Sequence, residues 1–438
     1  MGPAMRTILA FALLCCAAAA PQQPAPTTNL GTDASGNPRR LALKTGHVSN
    51  YDEARVGEYT LPDPLVLANG TRVRDARTWQ RTRRPEIIRL YESAIFGRVP
   101  ASAPRVVWHV IDKRGAGGDR REAAAPSAKN DGSVAIKHVD GVIGGAETPR
   151  IRLTLYTPPN LTRRVPVILL INFGGGGTTP AASLPSGEPP VARDILARGW
   201  GYATIFYQDI QPDRADTAKE GVINLARAAG RRPAPPDDDW GAIAVWAWGI
   251  SRTIDYLVTD PAVDPRRLAV QGHSRLGKTA LWASATDARI AAVYASCAGE
   301  MGSALSRRDW GETVDDMAQN FPWWFAGAFQ QWSGRWQEMP VDAHMLIALS
   351  APRPVFLTGG TADQWADPTG EYLAAVAAGP VYRLLGAKDL GTAEPRPPLD
   401  TPLTSGDIGW HYHTGAHAAT AADWNAFLVF LDKYFGRK

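Results

Sequence analysis

The chain has 438 residues, of which 45% are hydrophobic, and a formal net charge of +4. This length suits one large α/β domain or two small ones, and the apolar fraction excludes disorder outside the ends. Basic residues lie in short clusters beside acids, as in Arg307, Arg308 and Asp309. Such a charge pattern indicates a solvated surface and excludes a nucleic-acid-binding stripe.

The first twenty residues have the pattern of a secretory signal peptide. Arg6 precedes an apolar run at residues 8–14, which is too short to span a membrane, and a tract of small residues follows. We therefore expect an exported protein, periplasmic or secreted, that does not associate with a membrane. Residues 21–45 are rich in Pro, Gln, Thr and Gly, which predicts a disordered linker. Residues 46–438 are expected to form a single catalytic domain, in which Cys297 is the only cysteine and no disulfide is possible.

Hydrophobic periodicity predicts how the secondary structure is arranged. Nearly continuous apolar runs at residues 165–171 and 201–206 are typical of strands that are covered on both faces. Alternating polarity upstream of them predicts an antiparallel lead-in to the same sheet. The pattern as a whole predicts a doubly wound, three-layer α/β fold with a mostly parallel central sheet. The other predicted strands are residues 106–111, 134–139, 150–156, 268–270, 290–295 and 354–358, and the predicted helices are residues 84–96, 240–257 and 423–435.

The prediction of function is built around residues 268–278. A short apolar strand enters Gly272-His273-Ser274-Arg275-Leu276-Gly277, and an alanine-rich segment with helical character follows. We interpret this stretch as the Gly-x-Ser-x-Gly nucleophile elbow of an α/β-hydrolase fold. In such an elbow, small residues permit a tight turn that holds the serine in a strained conformation above a helix N-terminus.

A serine nucleophile needs a base and an acid that orients the base, in the chain order Ser, acid, His. His417 is the preferred base because it lies closest to the last helix, with His413 as the alternative and His411 also nearby. Asp363 is the preferred acid because it follows the strand predicted at residues 354–358. Glu300 is the alternative acid, and Asp367, before a proline, has the position of a turn or a helix cap.

The tetrahedral intermediate of ester hydrolysis needs hydrogen-bond donors aimed at its oxygen. The sequence offers Arg275, directly after the serine, and the glycine run that ends at Gly177, whose alternative interpretation is a flexible turn. This run lacks the Lys-Ser/Thr ending of a phosphate loop. No paired Cys/His pattern indicates zinc, so we expect neither a cofactor nor a metal.

Several motifs resemble the bacterial glucuronoyl esterases of carbohydrate esterase family fifteen, and the similarity runs from about residue 84 to the C-terminus. The motifs are residues 272–278, 299–308, 311–312, 321–325 and 340–354. The resemblance implies cleavage of the ester between 4-O-methyl-glucuronate of xylan and alcohols of lignin. It also implies that Ser274 is the nucleophile and Arg275 the oxyanion donor. Lys278 and Glu312 would then hold uronate hydroxyls, with Trp365 beside the sugar.

One position departs from the family pattern. Members with an acid after the strand next to the elbow show Glu-Ser-Gly-x-Gly-Gly, whereas this chain has Cys297-Ala-Gly-Glu-Met-Gly302. A buried neutral thiol cannot stabilise an imidazolium as a carboxylate does. The departure therefore favours Asp363, which resembles the position that other bacterial members use.

We therefore predict a monomeric serine esterase that hydrolyses glucuronoyl esters of glucuronoxylan or of lignin–carbohydrate complexes. Two other functions stay open. An esterase for another carbohydrate ester, such as acetylated xylan, would use the same nucleophile. A non-catalytic polysaccharide-binding protein would retain the fold without needing Ser274.

Overall fold

A computed structural model describes residues 29–111, 134–145, 147–174, 190–215, 220–230, 238–392 and 394–436. The strands are β1 (Asn29–Thr32), β2 (Pro38–Arg40), β3 (Val106–Ile111), β4 (Ala135–Ile143), β5 (Arg150–Thr157), β6 (Val165–Asn172), β7 (Gly201–Phe206), β8 (Val263–His273), β9 (Ala292–Ser296), β10 (Val355–Gly360) and β11 (Ile408–His413). The α-helices are α1 (Ala76–Thr78), α2 (Arg84–Ala94), α3 (Pro190–Ala197), α4 (Tyr207–Ile210), α5 (Gly221–Gly230), α6 (Ala242–Leu257), α7 (Arg275–Thr286), α8 (Val314–Asn320), α9 (Ala343–Ala348), α10 (Pro368–Leu384) and α11 (Ala421–Phe435). A π-helical turn lies at Trp79–Arg83, and 3₁₀ turns lie at Glu53–Arg55, Pro322–Trp324, Gly327–Trp332, Trp336–Glu338 and Gln364–Ala366.

Nine strands form one mixed sheet in the order β11-β10-β9-β8-β6-β7-β5-β4-β3. The six strands from β11 to β7 are parallel, and β5, β4 and β3 extend the sheet with antiparallel pairing. This is the predicted fold class, with its antiparallel lead-in, and its topology is that of an α/β hydrolase. The carboxyl ends of β6, β8, β9, β10 and β11 meet at one edge, where open α/β sheets bind their ligands.

Helices cover both faces of the parallel strands, which explains why those strands are apolar throughout. Along β6, Val167, Leu169 and Ile171 belong to a core shared with α2, α6, α7, α9 and α10. The intervening Ile168 and Leu170 belong to a second core under α3 and α11. Successive side chains of a strand point to opposite faces, so a strand that is covered twice has no polar face.

The sheet contains one strand that hydrophobic periodicity did not predict. β11 pairs in parallel with β10 and carries two buried histidines, His411 and His413. From the sequence, these residues are considered only as candidate bases before the last helix, because histidines interrupt the apolar pattern by which strands are recognised. Asp423 of α11 contacts one nitrogen of each imidazole, which offsets the cost of burying these polar side chains in the strand.

The prediction of a disordered linker at residues 21–45 is wrong for the part that the structure describes. Residues 29–40 form a short antiparallel hairpin of β1 and β2. The segment that follows is fixed to the domain by hydrogen bonds from Leu43 N to Gln319 Oε1 (2.7 Å) and from Thr45 Oγ1 to Asp315 Oδ2 (2.6 Å). Composition alone did not reveal these contacts, because the partners lie about 270 residues away in the sequence.

The predicted signal peptide, residues 1–20, lies outside the described residues. Among the described helices, none combines the length and the apolar character needed to cross a membrane.

Candidate active site

The predicted elbow lies where β8 passes into α7. Ser274 stands between them with φ +57° and ψ −129°, a conformation that a residue with a Cβ rarely adopts and that costs about 1–3 kcal/mol. A Cβ on Gly272 would lie 2.0 Å from Leu276 O, so this position requires glycine. The second glycine lies one residue later than a Gly-x-Ser-x-Gly pattern requires. It is Gly277, where a Cβ would lie 2.9 Å from the Cβ of Ala298.

His417 and Asp363 meet at the same edge of the sheet. The carboxylate Oδ2 of Asp363 lies 2.6 Å from His417 Nδ1. Asp363 is buried and His417 is exposed, so the carboxylate fixes one ring nitrogen while the imidazole stays accessible to solvent. Among the described residues no hydrogen bond joins the Ser274 hydroxyl to His417. Such catalytic hydrogen bonds often form only when substrate is bound.

A second histidine flanks the first. His273 precedes the nucleophile, and its ring centroid lies 4.5 Å from that of His417. Burial, helped by the neighbouring charge of His417, lowers the pKa of His273 to about 3. His273 is therefore neutral at physiological pH and does not oppose a positive charge on His417.

The other two histidines of the sequence analysis are engaged elsewhere. His411 Nδ1 lies 2.7 Å from Asp423 Oδ1, and His413 Nδ1 lies 3.0 Å from Asp423 Oδ2. The remaining nitrogen of His413 lies 3.1 Å from the carbonyl oxygen of Ala416. Both imidazoles are buried, so His413 lacks a free nitrogen for the base role that was its alternative assignment.

Neither the alternative acid, Glu300, nor Asp367 forms a hydrogen bond with His417 among the described residues. Glu300 is buried and accepts a hydrogen bond from Ser306 Oγ (2.6 Å), and burial raises its pKa well above the ordinary range. Asp367 caps α10 by accepting from Gly370 N (2.9 Å), as its position before a proline predicted. It also forms an ion pair with Arg308 at 3.0 Å.

Cys297 lies directly after β9, next to the Asp363–His417 pair. One ligand atom from each of Cys297, Asp363 and His417 falls within 4.8 Å of the others, a grouping that could hold a metal ion. However, His417 Nδ1 already hydrogen-bonds Asp363, and burial raises the pKa of the Cys297 thiol well above its usual value. The arrangement is that of a base with its orienting acid, beside a neutral thiol.

Arg275 begins α7, and its guanidinium is tied to a residue that the sequence analysis missed. Its Nη1 forms an ion pair with the carboxylate of Asp213, which lies 62 residues earlier in the chain. No local motif marks Asp213, which only the tertiary fold brings to the elbow. The glycine run was the other predicted source of oxyanion donors, and its residues 175–177 lie outside the described part of the chain. Its described part shows Gly174 N donating to Asn172 Oδ1 at 3.1 Å.

The three residues predicted to bind sugar form one cluster. Lys278 is buried and donates from Nζ to Ala298 O at 2.6 Å. Glu312 N donates to Trp365 O at 2.9 Å. Burial raises the pKa of Glu312 to about 7, against the opposing effects of the Lys278 charge and a hydrogen bond with the Trp365 side chain. Arg40 of β2, which the sequence analysis did not consider, covers the Trp365 ring at 5.1 Å from its centroid.

The geometry suits acyl transfer. A strained serine stands at a helix N-terminus, and an exposed imidazole is oriented by a buried carboxylate at the same sheet edge. An arginine follows the serine, and a cluster of charged and aromatic side chains lies nearby. Attack on an ester, proton transfer through an imidazole and stabilisation of an oxyanion require these groups.

Comparisons with known proteins agree with this chemistry. A family model described as fungal glucuronyl esterase matches residues 235–386. The chain is 38% identical, over 88% of its length and 92% of the relative, to carbohydrate esterase MZ0003 from an unknown prokaryotic organism. It is 27% identical, over 87% of its length and 70% of the relative, to the 4-O-methyl-glucuronoyl methylesterase of Cerrena unicolor.

Solved structures of esterases are also similar to this chain. The glucuronoyl esterase from Solibacter usitatus has 37% identity and a TM-score of 0.77, with 88% of this chain and 100% of that chain covered. A promiscuous CE15 esterase from a marine bacterial metagenome has 36% identity and a TM-score of 0.75, with 88% and 99% covered.

Proposed function

The chain belongs to carbohydrate esterase family 15, the glucuronoyl esterases, and on that premise we propose that it hydrolyses 4-O-methyl-glucuronoyl esters. Its substrates would be the esters that link glucuronoxylan to alcohols of lignin. The observation that carries this proposal is the 2.6 Å contact between His417 and Asp363, at the sheet edge that also bears the strained Ser274.

In the proposed mechanism, Ser274 Oγ attacks the ester carbonyl while His417 Nε2 accepts its proton. Asp363 orients the imidazole through Nδ1 and stabilises the imidazolium that forms. The tetrahedral intermediate collapses, and His417 returns the proton to the departing alcohol. Water then attacks the acyl-enzyme by the same route and releases glucuronate. Arg275 supplies positive charge to the oxyanion in both halves of the reaction.

Lys278, Glu312 and Trp365 hold the uronate in this proposal. An amine and a carboxylate make directional hydrogen bonds to sugar hydroxyls, and an indole offers an apolar face to the ring. Their grouping within one cluster supports a binding site on the acyl side of the ester. No cofactor enters the mechanism.

The remaining predictions concern the protein as a whole. We propose that residues 1–20 direct export, on the evidence of their charge and hydropathy pattern. We further propose that the mature protein acts as a monomer with one catalytic domain, residues 46–438, onto which residues 29–45 pack.

Hydrolysis of benzyl glucuronate by the wild type, Ser274→Ala and Asp363→Ala tests the proposed function, with p-nitrophenyl acetate as the control ester. We expect the wild type to cleave the glucuronate ester and both variants to lose about a thousandfold or more in kcat. Activity on the acetate alone would replace the glucuronoyl assignment with a general esterase. Unchanged activity of Asp363→Ala would exclude it as the acid, and an inactive wild type would favour a polysaccharide-binding role.

A further inference from the structure

The buried carboxylate of Asp213 accepts hydrogen bonds from four donors beside the elbow. Asp213 Oδ1 accepts from the indole nitrogens of Trp323 (2.9 Å) and Trp324 (2.6 Å). Its Oδ2 accepts from the hydroxyl of Tyr207 (3.2 Å) and from Nη1 of Arg275. The Asp213 side chain is only 2% exposed. A buried charge is tolerated when it is paired and fully hydrogen-bonded, and this carboxylate satisfies both conditions.

Two aromatic rings also contact the guanidinium of Arg275. The central carbon of Arg275 lies 4.7 Å from the Trp324 ring centroid and 5.6 Å from that of Phe173, at the end of β6. Trp324 is itself fixed, because it stacks on Phe321 with 4.0 Å between centroids and 10° between planes. The arginine therefore has a cation–π environment as well as an ionic anchor.

This environment restricts an otherwise flexible side chain. A guanidinium carries five N–H donors in a rigid fork, so anchoring Nη1 fixes the direction of the others. The Nε atom of Arg275 is buried and has no hydrogen-bond partner in the described part of the chain. Because Arg275 directly follows Ser274, the orientation of the fork decides whether its free donors reach the ester oxygen.

We propose that Asp213 is a positioning residue that holds the Arg275 guanidinium in the orientation needed to stabilise the oxyanion. This inference rests on the proposed function, in which Ser274 is the nucleophile and Arg275 an oxyanion donor. Asp213 acts through Arg275 and does not touch the substrate. Its two indole contacts keep the carboxylate from following the arginine when the substrate binds.

The test is a double-mutant cycle with Asp213→Asn and Arg275→Met, each alone and together. Asparagine retains an oxygen for the two indoles but presents an uncharged amide to the arginine. Asp264→Asn is the matched control, because Asp264 is also buried and accepts from an arginine, Arg267 Nε at 2.7 Å. Asp264 lies near the start of β8, at the opposite end of that strand from the elbow. For each variant, kcat, KM and the thermal midpoint are measured with benzyl glucuronate and with p-nitrophenyl acetate.

We expect Asp213→Asn to lower kcat by about 10- to 100-fold on both esters and to change KM by less than about twofold, because the oxyanion exists only in the transition state. In the Arg275→Met background, the same change should lower kcat by less than about twofold. Asp264→Asn should change the thermal midpoint without lowering kcat. If Asp213→Asn does not fold, Asp213→Glu, which preserves the charge and displaces the carboxylate, should give an intermediate loss of kcat.

Two results would overturn the proposal: a kcat of Asp213→Asn within about twofold of the wild type, or the same loss in both backgrounds of the cycle. The two esters separate this proposal from that of function. A wild type that cleaves only the acetate would refute the glucuronoyl assignment, while the cycle measured on the acetate would still decide the role of Asp213.

Discussion

Three histidines lie within seven residues, yet their contacts give them different chemistry. Asp423 binds both His411 and His413 from α11, and both rings are buried. His417 instead has one nitrogen on Asp363 and a side chain that is 42% exposed. A proton shuttle needs one oriented nitrogen and one free nitrogen that faces the substrate. Of the three, the contacts favour His417 for that role.

Replacing His417 and His413 separately should show which of them is needed for catalysis and which for stability. We expect His417→Asn to lower kcat by about a thousandfold or more and to change the thermal midpoint little, because the ring is 42% exposed and the asparagine amide can still donate to Asp363. His413→Asn, the matched variant, should lower the midpoint through loss of its contact with Asp423 but reduce kcat less than tenfold. Kinetics and calorimetry on both variants measure this, and the reverse pattern would move the base to His413.

In the proposed binding site, Glu312 should make substrate binding depend on pH. Burial raises the pKa of its carboxyl from the ordinary 4.5 to about 7, so it changes from neutral to charged as pH rises through 7. A carboxylate accepts hydrogen bonds from sugar hydroxyls more strongly than a carboxylic acid does. The ester substrate has no titrating carboxyl of its own. We expect KM for benzyl glucuronate to fall between pH 6 and 8 in the wild type and to stay flat in Glu312→Gln. A KM that changes equally in both would contradict this.

At the scale of single elements, helix α10 has one feature that the local sequence predicts and one that only the tertiary structure reveals. Asp367 followed by Pro368 predicted a cap, and the structure confirms that the helix begins there. Glu371, in the first turn of that helix, gave no such signal although it is fully buried. It accepts from Gly299 N (2.8 Å) and Ser303 Oγ (2.6 Å) in the segment after β9. The carboxyl therefore links α10 to the loop that follows Cys297.

This buried carboxyl should make stability depend on pH. Burial raises the pKa of Glu371 from 4.5 to about 8, so between these values the folded state binds a proton that the unfolded state has lost. Stability then falls as pH rises from about 4.5 to 8, by up to about 1.4 kcal/mol per pH unit. Glu371→Gln mimics the neutral form and should flatten this slope.

Urea unfolding at pH 5 and at pH 8 measures the effect of Glu371→Gln. The exposed Glu58→Gln serves as the control and should retain the slope of the wild type. An unchanged slope in Glu371→Gln would show that other groups cause the pH dependence.

The whole molecule has two apolar cores on opposite faces of one sheet. The smaller core packs α3 and α11 against β6, β8, β9 and β10. Phe427 of α11 is fully buried there, with its ring centroid 4.8 Å from that of Tyr294. The cluster predicted to bind sugar draws its side chains from α7, the segment before α8 and the loop after β10, none of which contributes to this core. A substitution in this smaller core should therefore lower the stability of the protein without changing its catalytic rate.

We expect Phe427→Ala to lower the free energy of unfolding by about 3–5 kcal/mol through the cavity that it leaves. The kcat of the folded protein should not change. Val429→Ala on the same helix is the control, because Val429 is 49% exposed and its truncation should cost less than about 0.5 kcal/mol. Chemical denaturation and esterase assays measure both quantities. A large loss of kcat in folded Phe427→Ala would show that the two faces are coupled.

The sequence by itself determined the fold class, most of the central strands and the elbow, because each depends on residues that are adjacent along the chain. Doubly covered strands are apolar throughout, and a tight turn needs glycine at position 272. The strand β11 was not predicted because its two buried histidines are accommodated by Asp423 of the next helix, a contact that the local sequence pattern does not reveal. The hairpin of β1 and β2 escaped because linker-like composition does not reveal distant partners.

Only the tertiary structure decided which of the candidate side chains meet. Parallel pairing places Gly360 of β10 opposite His413 of β11, so the loops that follow carry Asp363 and His417 to the same point. The sequence left Asp363 and Glu300, and His417 and His413, as alternatives, because strand register is not encoded near either residue. Asp213 was not foreseen at all, since its meeting with Arg275 depends on how β7, β6 and β8 lie side by side in the sheet.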